Sequence, residues 1–193
     1  MRFGCDIEGV EPAFRLLLTS DGTVTDMLQV ICREPIKAKK LAQEVQPAVR
    51  RFDLLDLEAG ELLMSRRVLL QGDRTGTSYV YADSCIAITR LDIRLQQGLL
   101  KSDAPIGRLW RENRVEIFKE ITGLKNQAAG YLAGYFGTSA DTSLLVRSCR
   151  IFAGGRPVML INEHFSPALD GNIAVETATS LYEVFSAERL ERL

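Results

Sequence analysis

Histidine is almost absent from this 193-residue chain, which carries a single one at His164. That scarcity excludes multi-histidine metal sites and leaves any nucleophile–histidine triad one residue to draw on. Cysteine is sparse and scattered, at Cys5, Cys32, Cys85 and Cys149, with no CxxC pair and no zinc-knuckle spacing. Such cysteines, with no secretion signal, read as reduced and mostly buried thiols. No apolar run approaches the ~20 residues a membrane helix needs. The start of the chain carries Asp6, Glu8 and Glu11 and no apolar stretch of signal-peptide length. The expectation is a soluble, cytoplasmic protein with no membrane partner.

A charge excess is also lacking. Twenty-four Lys and Arg face 25 Asp and Glu, a formal net charge of -1. No whole-molecule field draws the protein to nucleic acid or to an anionic membrane, so an anion site has to be local, built from a few placed arginines. Walker, dinucleotide-binding, HExxH, EF-hand and GxSxG motifs are missing, as are internal repeats and low-complexity stretches. The enzyme hypotheses that survive need no metal and no bound cofactor. What is present is core material. Hydrophobic residues make up 46% and charged residues 25%, enough for one domain of ordinary size spanning residues 1–193.

Patterning predicts helix over 11–19, stopped by Ser20-Asp21-Gly22, and a second short helix through Cys32, capped by Thr23 or Thr25. Residues 36–46 are ambiguous between helix and strand, and Pro35 before them favours strand. Residues 62–71 and 78–89 read as strands joined by Gly72-Asp73-Arg74-Thr75-Gly76, a β-hairpin. Short helices are expected over 91–101 and from Arg108 to Asn113, and a strand over 114–121. The small and aromatic run 126–136 reads as loop or short helix. A second hairpin joins 143–152 to 157–165 around Gly154-Gly155, and 175–191 has helical spacing, making 168–193 a helical extension. Hairpins dominate, so the fold class is α+β, an antiparallel sheet with helices to one side.

Alternation along strands then selects candidate residues. Met159, Ile161, Glu163 and Phe165 share one face, which sets a carboxylate among large apolar neighbours. Burial there disfavours the charged form and suits a general acid or a hydroxyl-binding group; the competing reading is a salt-bridged or exposed glutamate at a strand end. His164 points to the opposite face, so the two make a poor dyad. Met64, Arg66, Val68 and Leu70 share a face, and Ser65, Arg67 and Leu69 the other, so one of the two arginines points inward. A buried arginine needs an anion, which is a ligand carboxylate or an internal Asp or Glu. The turns Ser20 to Thr25 and Pro105 to Arg108 each precede a helix, where free N–H groups can hold a carboxylate.

The run Ser65 to Leu70, the turn Ala104-Pro105-Ile106-Gly107-Arg108, the strand Val115 to Glu120 and the segment Gly155 to Phe165 occur in this order and spacing. Together they resemble the chorismate pyruvate-lyases, above all the branch found in actinobacteria, cyanobacteria and archaea. The resemblance covers roughly residues 14–167. It implies a six-stranded antiparallel sheet with helices over it and an enclosed pocket. It implies a cofactor-free reaction that turns chorismate into 4-hydroxybenzoate and pyruvate. It also implies roles: Arg66 and Glu163 as catalytic residues, with Glu163 at the 4-hydroxyl, and the backbone at Val24, Ile106 and Gly107 as binding sites for the ring carboxylate. The choice of Arg66 over Arg67 rests on this register. Two other outcomes fit the same fold: a non-catalytic sensor of aromatic acids, though these residues show no DNA-binding helix-turn-helix pattern, and a lyase giving another hydroxybenzoate.

Overall fold

The computed structural model describes residues 7–169. Helix α1 (Pro12–Thr19) opens with Glu11, whose carboxylate accepts from the Phe14 N–H, and with Pro12 in the first turn, where its missing N–H costs nothing. Helix α2 (Val24–Cys32) follows Thr23 and ends on Arg33 in the left-handed region at φ 55°. The rest of the chain makes strands β1 (Ile36–Pro47), β2 (Leu62–Gly72) and β3 (Ser78–Ala87), helices α3 (Ile93–Lys101) and α4 (Ile106–Glu112), strand β4 (Ile117–Ala128), the single turn α5 (Ala133–Phe136), and strands β5 (Ser143–Ala153) and β6 (Arg156–Phe165).

The strands form one six-stranded sheet in the order β1-β2-β3-β6-β5-β4, and every pairing is antiparallel. Its first half is a meander and its second half a second meander run backwards, so β3 and β6 meet in the middle. The helices lie over one face. Phe14, Leu17 and Leu18 of α1, Leu28 of α2, Leu95 and Leu99 of α3 and Leu109 and Trp110 of α4 bury against Met64, Val80, Ile86, Met159 and Phe165 of the sheet. Each fully buried aliphatic or aromatic side chain of this kind contributes about 1.5–3 kcal/mol. That burial fixes the helices on the sheet. The far face is covered at its two ends by smaller clusters, around Phe52, Leu55 and Leu57 and around Tyr81, Leu132 and Leu144.

The fold class and the two hairpins are as the sequence predicts, and β1 is the strand that Pro35 favours. Three boundaries differ. Strand β4 starts at Ile117 and runs to Ala128, taking in residues read as loop. A bulge between Ile121 and Gly123 breaks the alternation there and hides the strand's second half. Helix α4 begins at Ile106, directly after Pro105, two residues before the predicted start. The strand predicted to reach 89 ends at Ala87 in a single turn of 3-10 helix. The helix expected over 175–191 lies outside the described residues. Cys32, Cys85 and Cys149 are free thiols, and burial together with the Glu163 carboxylate pushes Cys149 up to about 12. No described helix is long and apolar enough to cross a membrane.

Candidate active site

A cavity of about 320 Å³ opens between the helix layer and the sheet. That volume falls at the small end of the range for small-molecule sites. Register explains the space. Arg66 pairs with Ser84 and Ser84 with Ile161, while Val68 pairs with Ala82 and Ala82 with Glu163. The two small residues of β3 thus form a low floor between taller neighbours on β2 and β6. The starts of α2 and α4 close the cavity from above, and they approach each other at Gly107. A Cβ on Gly107 would stand 2.6 Å from Thr23 Cγ2, so only glycine permits this closeness.

All five residues singled out from the sequence line this one cavity: Val24, Arg66, Ile106, Gly107 and Glu163. Arg66, not Arg67, faces inward, and it is 3% exposed. His164 lies on the far face, 1% exposed, with its ring edge-on to Tyr81 at 5.7 Å. Burial, helped by Lys125, lowers its pKa to about 4.

Glu163 is not the isolated acid its apolar face suggests. Arg147 of β5 stands opposite it across the β5–β6 ladder and is 0% exposed. Arg147 Nε donates to Glu163 Oε2 at 2.7 Å, and Nη2 lies 2.7 Å from the same oxygen. Nη1 donates to the carbonyls of Leu17, Leu18 and Ser20 at 2.6, 3.2 and 3.2 Å. One guanidinium therefore ties the end of α1 to the carboxylate. Burial weighs against the charge on Arg147, but the adjacent carboxylate outweighs it and raises the guanidinium pKa. Both contacts fall on Oε2, so Oε1 accepts no hydrogen bond among the described residues and remains available toward the cavity.

Two cations that line the cavity follow a shared plan. Arg66 Nη2 donates to the Ala104 carbonyl at 3.0 Å, two residues before α4 begins. Lys119 Nζ donates to the Gly22 carbonyl at 2.9 Å, two residues before α2 begins. Burial lowers the Arg66 pKa, as it must for a guanidinium with no ion-pair partner, while Asp103 nearby pulls it back up. Asp103 itself is engaged by Lys40 at 2.9 Å. Two buried donors at the cavity wall, Arg66 Nε and Trp110 Nε1, have no hydrogen-bond partner among the described residues. Buried polar atoms left this way mark a place where a ligand can supply acceptors. A further arginine, Arg111, pairs with Asp26 and braces α4 against α2.

Arg147, Lys119 and Trp110 went unnoticed in the sequence. Arg147 had a signal, because Leu145, Arg147, Cys149 and Ile151 put one arginine on an apolar face, the pattern that marks Arg66. Lys119 had the same signal, since it stands between Ile117 and Ile121 on one face of its strand. Trp110 lies on a seven-residue helix too short for periodicity to speak.

A six-stranded antiparallel sheet roofed by helices, with a cavity between the layers, defines the chorismate lyase-like fold. Among solved structures, PhnF from Mycobacterium smegmatis aligns with a TM-score of 0.61 at 12% identity, over 83% of this chain and 71% of that one. A GntR-family transcriptional regulator from Bacillus cereus aligns with a TM-score of 0.52 at 10% identity, over 75% of this chain and 99% of that one. At such identities the likeness is one of fold. Sequence goes further. The profile of the Rv2949c-like chorismate pyruvate-lyases matches residues 18–172, and the chain belongs to that family. The chorismate pyruvate-lyase of Mycobacterium tuberculosis (strain H37Rv) is 26% identical over 164 residues, 83% of this chain and 82% of the relative. That of Mycobacterium leprae (strain TN) is 30% identical over 162 residues, 83% of this chain and 77% of the relative.

Proposed function

We propose that this protein is a cytoplasmic, cofactor-independent lyase that eliminates pyruvate from chorismate to give 4-hydroxybenzoate. The observation that supports it most is the cavity itself, where an unpaired guanidinium and a carboxylate with one open oxygen face a floor of small residues. Chorismate carries a ring carboxylate, a ring hydroxyl, and an enolpyruvyl ether with its own carboxylate. Breaking the ring carbon–oxygen bond of the ether sends its electrons to the departing oxygen. The ring proton beside the hydroxyl leaves, the ring aromatises, and the enolpyruvate takes up a proton and becomes pyruvate. Aromatisation supplies the driving force, so the protein's work is to orient the substrate and to stabilise charge on the departing oxygen.

Arg66 is the donor for that oxygen or for the side-chain carboxylate. Glu163 accepts from the ring hydroxyl through Oε1 and assists the proton's departure, while Arg147 holds its other oxygen in place. The backbone N–H groups of Val24 and Ile106, with Gly107 allowing the approach, receive the ring carboxylate. Incubation of the purified protein with chorismate, followed by chromatographic identification of the aromatic product, tests this. Equal amounts of pyruvate and 4-hydroxybenzoate are expected. A 3-hydroxybenzoate product would keep the reaction class and move the hydroxyl's partner. The likeness in fold to GntR-family regulators favours a second reading, a sensor of aromatic acids. Tight binding of 4-hydroxybenzoate with no pyruvate released would establish it in place of the first.

A further inference from the structure

We propose that Lys119 is the counter-ion of the ring carboxylate, the group that substrate and product share, and so sets which acids the cavity accepts. This rests on the reading of the cavity as a chorismate site. The charged residues at the wall are Asp21, Arg66, Arg111, Lys119 and Glu163. Glu163 is paired with Arg147 behind it and Arg111 with Asp26. Asp21, also at the wall, is exposed to solvent. The cations without a carboxylate partner are Arg66 and Lys119. Lys119 is half-buried, and its ammonium has three donors, of which the Gly22 carbonyl occupies one. It forms no ion pair among the described residues.

Placement says which carboxylate it takes. On the sheet, Lys119 pairs with Ile151 and Ile151 with Met159, two side-chain rows from Glu163. The backbones of Lys119 and Glu163 stand roughly 13 Å apart along the strands and roughly 10 Å across them, so their side chains enter from opposite corners. Arg66 belongs to the row between them, on the other flank. A ring whose hydroxyl meets Glu163 therefore presents its far end toward Lys119, and a substituent next to the hydroxyl toward Arg66. In chorismate the ring carboxylate is opposite the hydroxyl and the enolpyruvyl ether is adjacent to it. Arg66 thus serves the group that leaves, and Lys119 the group that stays.

Calorimetric binding of 4-hydroxybenzoate and of its neutral analogue 4-hydroxybenzamide to wild type, Lys119→Met and Lys119→Arg tests the assignment. Lys119→Met is expected to weaken the acid roughly 10- to 100-fold, the range for one charge-assisted hydrogen bond, and to leave the amide where it was. Lys119→Arg restores most of the loss. Equal losses for acid and amide would make Lys119 only a brace for the Gly22 carbonyl and overturn the proposal, as would no loss for either. A wild type that turns over chorismate beside a Lys119→Met that keeps its acid affinity sinks this assignment alone. A wild type that binds neither ligand and releases no pyruvate sinks the cavity reading and this proposal with it.

Discussion

Replacing Arg147 by methionine is the most informative perturbation of the scaffold. The change removes two contacts to Glu163 Oε2 and three to the carbonyls that end α1, all at a fully buried position. Breaking one partner of a buried ion pair costs about 3–5 kcal/mol, because the other charge is left uncompensated. For a chain of this size that is a fall in Tm of about 6–20 °C. Glu163→Leu should cost about 3 kcal/mol for the same reason, with Arg147 still holding the α1 carbonyls. The double variant removes both charges and leaves only the carbonyls unserved. It should therefore be less damaged than the sum of the two singles, by about 2 kcal/mol or more. Urea unfolding of wild type, both singles and the double measures this directly. Singles that add within about 0.5 kcal/mol, or an Arg147→Met that costs under about 1 kcal/mol, would refute the pairing as the link between α1 and the acid.

Gly107→Ala should raise KM for chorismate by pushing α4 off Thr23, and Thr23→Ser in the same chain should recover much of the loss, since the clash is with Cγ2; a double variant no better than Gly107→Ala argues against the clash. Burial alone would raise the Glu34 carboxyl, but hydrogen bonds from the Thr75 hydroxyl, the Tyr79 hydroxyl and the Thr75 and Arg74 N–H groups hold it at about 2, down from 4.5. A depressed carboxyl contributes stability that is full above the unfolded value and is lost as pH falls from 4.5 toward 2. Glu34→Gln should therefore be less stable than wild type at pH 6, with the gap closing through that window in acid titrations. His164, held at about 4 against an ordinary 6.5, gives a loss of roughly 3 kcal/mol as pH falls between those values, because the unfolded chain takes up the proton first. His164→Gln should flatten that limb of the pH–stability curve, and an unchanged limb would assign it elsewhere.

Much of this was legible in the sequence, for local reasons. The hairpins announce themselves through Gly72 to Gly76 and Gly154-Gly155, where turn chemistry separates two alternating runs. Alternation also places Arg66 and Glu163 on inward faces, and their strands prove to be two apart in the sheet, with β3 between them. What alternation cannot supply is the partner across a ladder. Glu163 meets Arg147 through the β5–β6 register, and that pairing fixes one of its oxygens and leaves the other open. Lys119 alternates regularly with Ile117 and Ile121 ahead of the bulge, but nothing local shows that this edge strand reaches the cavity. The closeness of Gly107 to Thr23 depends on how α2 and α4 pack, which no local window records.

Turnover of chorismate is the property on which every proposed residue role depends. Pyruvate release from chorismate, followed continuously for wild type, Arg66→Ala and Glu163→Ala, tests it most directly. Steady release by wild type is expected, with each variant slower by about a hundredfold or more, the usual loss for a transition-state donor. Variants that keep the wild-type rate, or a wild type that binds 4-hydroxybenzoate and releases no pyruvate, would contradict it.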